Sequence, residues 1–221
     1  DSVLTFRPTD FMTYVATSRS HARRSLSKQV YDNMRVSAVG GTLKLADSLV
    51  FIHRRSSNVT HAADKLDSSI AGLAHINEDG KIDFRKALFE KLQRELKIKE
   101  GEIKNLAVTG VHSSYDPDFS GMVDFAVETN LHARDIEERI DKSYFGEHFF
   151  VPNDKLANFV FEHYAIEKDM IGDGCATILA SLDHNVFLGI VEKIRRQLDN
   201  GIIQFGRLEN GLYIQKLGNF D

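Results

Sequence analysis

The segment DFRKALFEKLQRELKIKEG, residues 83–101, carries the pattern around which the rest of the chain is organised. Its apolar residues recur at three- and four-residue spacing, which is typical of a helix with one buried face. Asp83 is placed to cap the first turn, and Gly101 is placed to end the helix. The pattern therefore predicts a helix from about Phe84 to Lys99. The residues expected on its buried face are Ala87, Leu88, Leu92 and Leu96.

Short β-prone runs lie on both sides of this helix, and most are bounded by turn residues. The predicted strands cover residues 36–39, 43–45, 49–52, 106–112 and 122–129, and residues 70–74 form a further short apolar run that contains a glycine. Gly40-Gly41 and Asp47-Ser48 are expected to form turns within the first meander. Strands on either side of an amphipathic helix indicate an α/β fold in which helices cover a sheet. We predict an α/β/α sandwich around a mixed sheet.

The last part of the chain predicts further helices and a hairpin. Amphipathic patterns favour helices over residues 154–164 and 185–198, with a short helix near 176–182. Two β-prone runs flank Glu209-Asn210-Gly211, which is typical of a hairpin turn. The predicted division is an N-terminal extension over 1–33, a core over 34–150, and a C-terminal addition over 151–221 that packs on the core.

Composition excludes some classes of function. The chain has 221 residues, with 28 basic and 32 acidic side chains and a formal charge of −4, so a dominant nucleic-acid-binding surface is not expected. Cys175 is the one cysteine and has no disulfide partner within the chain, which favours a cytoplasmic location. No apolar run reaches the roughly 18 residues that suggest a membrane-spanning helix.

The segment 122–129 alternates between apolar and other residues, as a strand with one buried face does. Val123, Phe125 and Val127 point to one side of the predicted strand. Asp124 and Glu128 point to the other side. We therefore expect the first face to belong to the core and the second to be open to a ligand.

The order of strand meander, glycine-bearing loop, helix and renewed strands resembles the Nudix superfamily. The signature of that family reads glycine, five residues, Glu, seven residues, then Arg-Glu-aliphatic-any-Glu-Glu-any-Gly-aliphatic, and it holds magnesium against a diphosphate. Arg94, Glu95, Leu96 and Gly101 match the second half of this signature. The resemblance spans roughly Val36 to Phe150. It implies hydrolysis of a nucleoside diphosphate linked to another group, with Mg or Mn as the cofactor.

Three carboxylates of the signature are replaced. Lys86 stands where the first glutamate belongs, and Ile98 and Lys99 stand where the family has two adjacent metal-binding glutamates. Residues three and four apart share one face of a helix, so Glu95 is expected beside Ile98 and Lys99. That face offers one carboxylate, whereas magnesium prefers several oxygen ligands. We expect weak metal binding, with Lys99 either paired to Glu95 or in contact with a ligand phosphate.

Two functions remain open at this point. The first is a divergent diphosphate hydrolase in which Arg94 and Glu95 are the candidate catalytic residues. In it Glu95 is the base or the surviving metal ligand, and Asp124 or Glu128 completes the site. The second is a non-catalytic Nudix-fold module that binds a nucleotide, a phosphorylated small molecule or a protein partner. Arg94 and Glu95 alternatively form a salt bridge that only fixes the helix. The candidate ligand-binding residues are Arg54, Arg55, Lys99, Asp124 and Glu128, and the nearby carboxylates that could restore a metal site are Glu90, Glu100 and Glu102. A homodimer is left open as well.

Overall fold

The computed structural model describes residues 36–59, 62–74, 81–113, 119–197, 203–207 and 213–217. The predicted extension over 1–33 lies outside them. The first half contains β1 (Val36–Lys44), β2 (Leu49–Arg55), β3 (Leu66–Asp67), β4 (Ile70–Leu73), α1 (Phe84–Leu96), β5 (Ile103–Ser113) and β6 (Phe119–Thr129). The second half contains α2 (Ala133–Arg139), β7 (Phe145–Pro152), α3 (Leu156–Phe161), α4 (Gly172–Ala180), α5 (His184–Gln197), β8 (Ile203–Arg207) and β9 (Tyr213–Leu217).

The described strands form one sheet in the order β3-β2-β1-β6-β5-β9-β8, with β4 paired to β1 and β7 paired to β2. The β1–β6 and β5–β9 pairs are parallel, and the remaining pairs are antiparallel. The predicted mixed sheet is therefore confirmed. The predicted terminal hairpin is present as β8 and β9, and it extends the sheet beyond β5.

Helices cover both faces of this sheet, as an α/β/α sandwich requires. On one face, Leu88, Leu92 and Leu96 of α1 are fully buried against Phe125 and other residues of the strands. On the opposite face, α3, α4 and α5 pack over a second apolar cluster that includes Ile52. The predicted fold class and the predicted buried face of α1 are both confirmed. The boundary expected at residue 150 falls inside β7, which pairs with β2.

The glycine pair at positions 40 and 41 does not form the predicted turn, because both residues lie inside β1. A Cβ atom at Gly40 would overlap Thr177 Oγ1 and would lie 2.8 Å from Asp124 Oδ1. Glycine at this position lets α4 approach the sheet closely. The turn predicted at Asp47-Ser48 is present, and Ser48 has a positive φ of 61°.

The helix α1 begins as predicted and ends earlier than predicted. The Asp83 side chain accepts a hydrogen bond from the Lys86 backbone N–H at 2.9 Å, which caps the first turn. The helix ends at Leu96 because Lys97 adopts the left-handed conformation, with φ 55° and ψ 28°. Gly101 does not end α1 and instead lies in a 3-10 turn over Glu100–Glu102. None of the helices in the described ranges is long and apolar enough to cross a membrane.

Candidate functional site

Glu95 is the signature carboxylate that the sequence retains, and it is only 7% exposed. Arg94 Nη2 lies 2.5 Å from Glu95 Oε1, so the predicted salt bridge is present. Lys91 Nζ lies 3.7 Å from the same oxygen atom, and its side chain is 13% exposed. Two cations therefore compensate the charge of this carboxylate.

A glycine of β4 makes room for Lys91 beside Glu95. A Cβ atom at Gly72 would overlap Lys91 Nζ, so any larger residue would displace the ammonium group. Burial lowers the pKa of Lys91 from its usual value, although the adjacent Glu95 raises it. Lys91 is not among the site residues that the sequence predicted. Its four-residue spacing from Glu95 is the local signal that identifies such a pair.

Further charged groups adjoin this pair on β2 and β3. Arg55 Nη1 donates a hydrogen bond of 2.8 Å to Asp67 Oδ2, and Asp67 is 1% exposed. Burial is the main cause that lowers the pKa of His53, and the charges of Asp67, Arg55 and Glu95 also act on its imidazole. The imidazole is therefore neutral near pH 7. We call Arg55, Asp67, Lys91, Arg94 and Glu95 the Glu95 cluster. It carries three positive and two negative charges.

The expectation that Glu95 shares a helix face with Ile98 and Lys99 is wrong. The left-handed residue Lys97 turns the chain, so Ile98 enters the apolar core at 1% exposure. Lys99 is exposed beyond the end of α1, where its backbone N–H donates a hydrogen bond of 2.8 Å to Glu102 Oε2. Glu95 pairs with Lys91 and Arg94 and not with Lys99.

The neighbouring glutamates do not converge on Glu95. Glu102 Oε1 accepts a hydrogen bond of 2.8 Å from Arg139, and its pKa is lowered mainly by the Lys99 backbone N–H and also by Arg139. The other two candidate glutamates pair with lysine or arginine side chains. Glu90 lies 4.0 Å from Lys86, and Glu100 lies 3.3 Å from Arg85. Hard cations require several oxygen ligands. The donor set around Glu95 therefore does not fit the magnesium site of the Nudix signature.

Asp124 does not face an open surface, so that expectation is wrong as well. It is 1% exposed because α4 covers this face of the sheet. Its two carboxylate oxygens accept hydrogen bonds of 2.7 Å from His112 Nδ1 and 2.7 Å from Thr177 Oγ1. Asp173 Oδ1 lies 3.4 Å from His112 Nε2. Burial alone would lower the pKa of His112, but Asp124 and Asp173 raise it to about 10.

Glu128 lies on the same face as Asp124, farther along β6. It lines a cleft of about 350 Å³ together with Lys44, Asp154 and Asp183. Lys44 Nζ lies 4.0 Å from Glu128 Oε1, and both side chains are more than one-third exposed. Glu128 is therefore accessible to a ligand, in a cleft that the sheet separates from the Glu95 cluster.

Arg54 and Arg55 are consecutive in β2, so their side chains point to opposite faces of the sheet. Arg54 Nη2 pairs with Asp169 Oδ2 at 3.0 Å, and Arg54 Nη1 donates a hydrogen bond of 2.8 Å to the Asp64 carbonyl. The structure therefore places Arg55 in the Glu95 cluster and Arg54 on the opposite side of the sheet.

Comparison with known proteins gives similarity at the level of the fold. No family model matches the chain, and no curated protein matches it. Similar solved structures include DR0079 from Deinococcus radiodurans, which is 16% identical over 65% of this chain and 81% of that one, with a TM-score of 0.49. A MutT protein from Methanosarcina mazei Go1 is 11% identical over 72% and 94% of the two chains, with a TM-score of 0.47.

A third similar structure is the NUDIX domain of Shewanella oneidensis NrtR, which was solved in complex with ADP ribose. It is 14% identical over 73% of this chain and 96% of that one, with a TM-score of 0.40. The similarity concerns the fold alone.

Proposed function

We propose that this chain is a non-catalytic Nudix-like module that binds a nucleotide or another phosphorylated ligand at the Glu95 cluster without a metal ion. The observation that carries the proposal is the pairing of Glu95 with Arg94 at 2.5 Å and with Lys91 at 3.7 Å. Both cations contact Glu95 Oε1, so they repel a divalent ion and compete with it for this oxygen. The same cations attract the negative charge of a phosphate group.

The exposed part of the cluster suits a nucleotide. The Arg94 side chain is 47% exposed, and its guanidinium lies 5.4 Å from the centroid of the Tyr144 ring. Tyr144 is itself 39% exposed. A guanidinium next to an accessible aromatic ring offers hydrogen bonds to phosphate oxygens and a flat surface on which a base can stack.

The alternative is a divergent diphosphate hydrolase that uses Mg or Mn. Hydrolysis of this kind uses a metal ion to neutralise the phosphoryl oxygens and to generate the attacking hydroxide. Such an ion requires several carboxylate ligands, and Glu95 is the only one of the described signature positions that retains an acid. The arrangement of charges therefore favours the binding module over the hydrolase.

The test is calorimetric titration with nucleoside diphosphate sugars, dinucleoside polyphosphates and nucleoside triphosphates, in chelator and again in Mg or Mn. We expect saturable binding in chelator. Arg94→Ala is expected to weaken it by about 10- to 100-fold, since a hydrogen bond to a charged group contributes about 1.5–3 kcal/mol. Lys99→Ala is the matched control, because it removes the same charge from an exposed segment beyond α1, and it should bind as the unmodified chain does.

Phosphate release is measured on the same panel. Metal-dependent turnover that disappears in Glu95→Gln would establish the hydrolase and refute the binding module. Absence of binding to every ligand, or equal losses in Arg94→Ala and Lys99→Ala, would show that the Glu95 cluster is not a phosphate site.

A further inference from the structure

A second group of ligand-type side chains lies where α3 ends, on the opposite side of the sheet from the Glu95 cluster. The π-helical turn Glu162–Ile166 continues α3 and carries His163. Glu167 follows four residues after His163. Lys168 then adopts a positive φ of 56°, which turns the chain so that Asp169 approaches the same histidine. Single π-helical turns within helices are frequent at functional sites.

Both carboxylates converge on one nitrogen atom. His163 Nδ1 lies 2.9 Å from Glu167 Oε2 and 2.9 Å from Asp169 Oδ1. The three ligand atoms all lie within 4.8 Å of one another. An imidazole Nδ1 carries at most one proton, so the two carboxylates share one N–H donor. The two like-charged carboxylate oxygens therefore lie within 4.8 Å of each other around a single donor.

A divalent metal ion would bind the imidazole and both carboxylates together. Nitrogen and oxygen ligands of Zn²⁺ lie about 2.1 Å from the ion, so two ligands at the tetrahedral angle are about 3.4 Å apart. The separations of 2.9 Å at His163 are somewhat shorter, so binding of an ion requires only small rotations of these partly exposed side chains. We propose that His163, Glu167 and Asp169 bind a divalent transition-metal ion, with Zn²⁺ as its representative. One imidazole with two carboxylates suits such an ion better than Mg²⁺ or Ca²⁺, which prefer oxygen alone.

Neighbouring groups hold the three ligands in place. Arg54 Nη2 binds Asp169 Oδ2 at 3.0 Å, which leaves Oδ1 directed at His163. The Asp169 backbone N–H donates a hydrogen bond of 3.0 Å to the His163 carbonyl, and the Leu66 N–H donates one of 2.7 Å to the Asp169 carbonyl. Second contacts of this kind orient metal ligands and fix the geometry of the site. Arg54 is therefore a positioning residue for this site.

The site is open enough for an ion to enter. The side chains of His163, Glu167 and Asp169 are 18%, 47% and 23% exposed. Three protein ligands leave at least one coordination position of a tetrahedral ion for water or for a small ligand. Because Arg54 and Arg55 point to opposite faces of the sheet, this site does not depend on phosphate binding at the Glu95 cluster.

The experiment is titration of the full chain, first freed of metal with chelator, with Zn²⁺ alone and followed by calorimetry. We expect one saturable site that Glu167→Gln weakens by at least about tenfold, which corresponds to about 1.4 kcal/mol. Glu162→Gln is the matched control, because it removes the same charge from an exposed residue of the same turn and should leave the affinity unchanged. Glu167 is largely exposed, so its replacement should preserve the fold, and circular dichroism verifies this.

A second measurement separates this site from binding at other histidines. Titration with Co²⁺ should produce a visible absorption band that is lost in Glu167→Gln and in His163→Gln and retained in Glu162→Gln. Absence of saturable Zn²⁺ binding in the unmodified chain would overturn the proposal. Zn²⁺ binding that is the same in Glu167→Gln as in the unmodified chain would also overturn it, because the ion would then bind elsewhere.

Discussion

Asp124→Asn tests the contact between β6 and α4, where a carboxylate is buried at 1% exposure. Asn has nearly the same shape as Asp and can still accept the hydrogen bond that Thr177 Oγ1 donates at 2.7 Å. The substitution therefore removes mainly the charge that faces His112 Nδ1 at 2.7 Å. Loss of one partner of a buried ion pair costs about 3–5 kcal/mol, since the other charge stays buried.

This loss is large enough to measure by unfolding. For a chain of this size, 1 kcal/mol corresponds to a change of about 2–4 °C in the melting temperature, so we expect a decrease of about 6–20 °C. Urea denaturation at neutral pH gives the free energy of unfolding directly. Glu128→Gln is the control, because Glu128 lies on the same strand, is 37% exposed and is 4.0 Å from its cation. An exposed pair of this kind contributes about 0–1 kcal/mol.

The pH dependence gives a second, independent result. The pKa of His112 is raised to about 10 in the folded chain from an ordinary value of 6.5. The folded state therefore binds more protons than the unfolded state between these two values. The stabilisation is fully present below pH 6.5 and decreases as the pH rises toward 10, by up to about 1.4 kcal/mol per pH unit. The difference in stability between Asp124→Asn and the unmodified chain should narrow over the same range.

Two outcomes would refute this reasoning. A loss below about 1 kcal/mol would place Asp124→Asn in the range of exposed pairs and would mean that the charge at Asp124 is not essential. A difference between the two proteins that stays constant from neutral pH to pH 10 would show that His112 is not the group that titrates.

Two further substitutions test α1 and its surroundings. Gly72→Ala puts a Cβ atom where Lys91 Nζ now lies, so the flexible Lys91 side chain must move away from Glu95. We expect the free energy of unfolding to change by less than about 1 kcal/mol. The affinity for phosphorylated ligands, measured by calorimetry, should fall. Unchanged affinity would exclude Lys91 from the binding site. Asp83→Ala removes the side chain that accepts the Lys86 N–H hydrogen bond and should lower the free energy of unfolding by about 1 kcal/mol. Asp83→Asn can still accept this hydrogen bond and should retain most of that stability. Equal losses of stability in the two variants, measured by thermal denaturation, would show that the cap does not cause the loss.

The fold was largely predictable because the spacing of apolar residues along the chain indicates which side chains are buried. Leu88, Leu92 and Leu96 follow helical spacing, and all three are fully buried in α1. Gly40 misled the prediction because glycine pairs are common in turns. In the structure, glycine is needed at position 40 because Thr177 of α4 packs directly against it. Thr177 is distant in sequence, so no local pattern near residue 40 predicts this contact.

The end of α1 could not be predicted for a related reason. A positive φ at a residue other than glycine is uncommon, so nothing in the sequence marks Lys97 as the end of the helix. The chain turns there because Ile98 then reaches the core, where it is 1% exposed. This turn separates Lys99 from Glu95, and it explains why the predicted arrangement of the metal-binding face was wrong.

The candidate site was predictable in part. Arg94 and Glu95 form the expected pair, and Arg55 lies in the same cluster. Alternation along β6 correctly placed Asp124 opposite Phe125, but it carried no information about α4. The contact between Thr177 and Asp124 joins residues 53 positions apart, so local pattern cannot identify it.

The hydrogen bonds between α4 and the sheet also determine which alignment of the two is allowed. Apolar contacts have no direction, and a helix that packs through them alone can shift along a sheet at modest cost. A shift of α4 by one turn would displace Thr177 by about 5.4 Å relative to Asp124 and would break their hydrogen bond. It would also separate Asp173 from His112. The imidazolium and the carboxylate would then be buried with fewer partners. The polar contacts therefore select one register for α4 among the several that its apolar surface would accept.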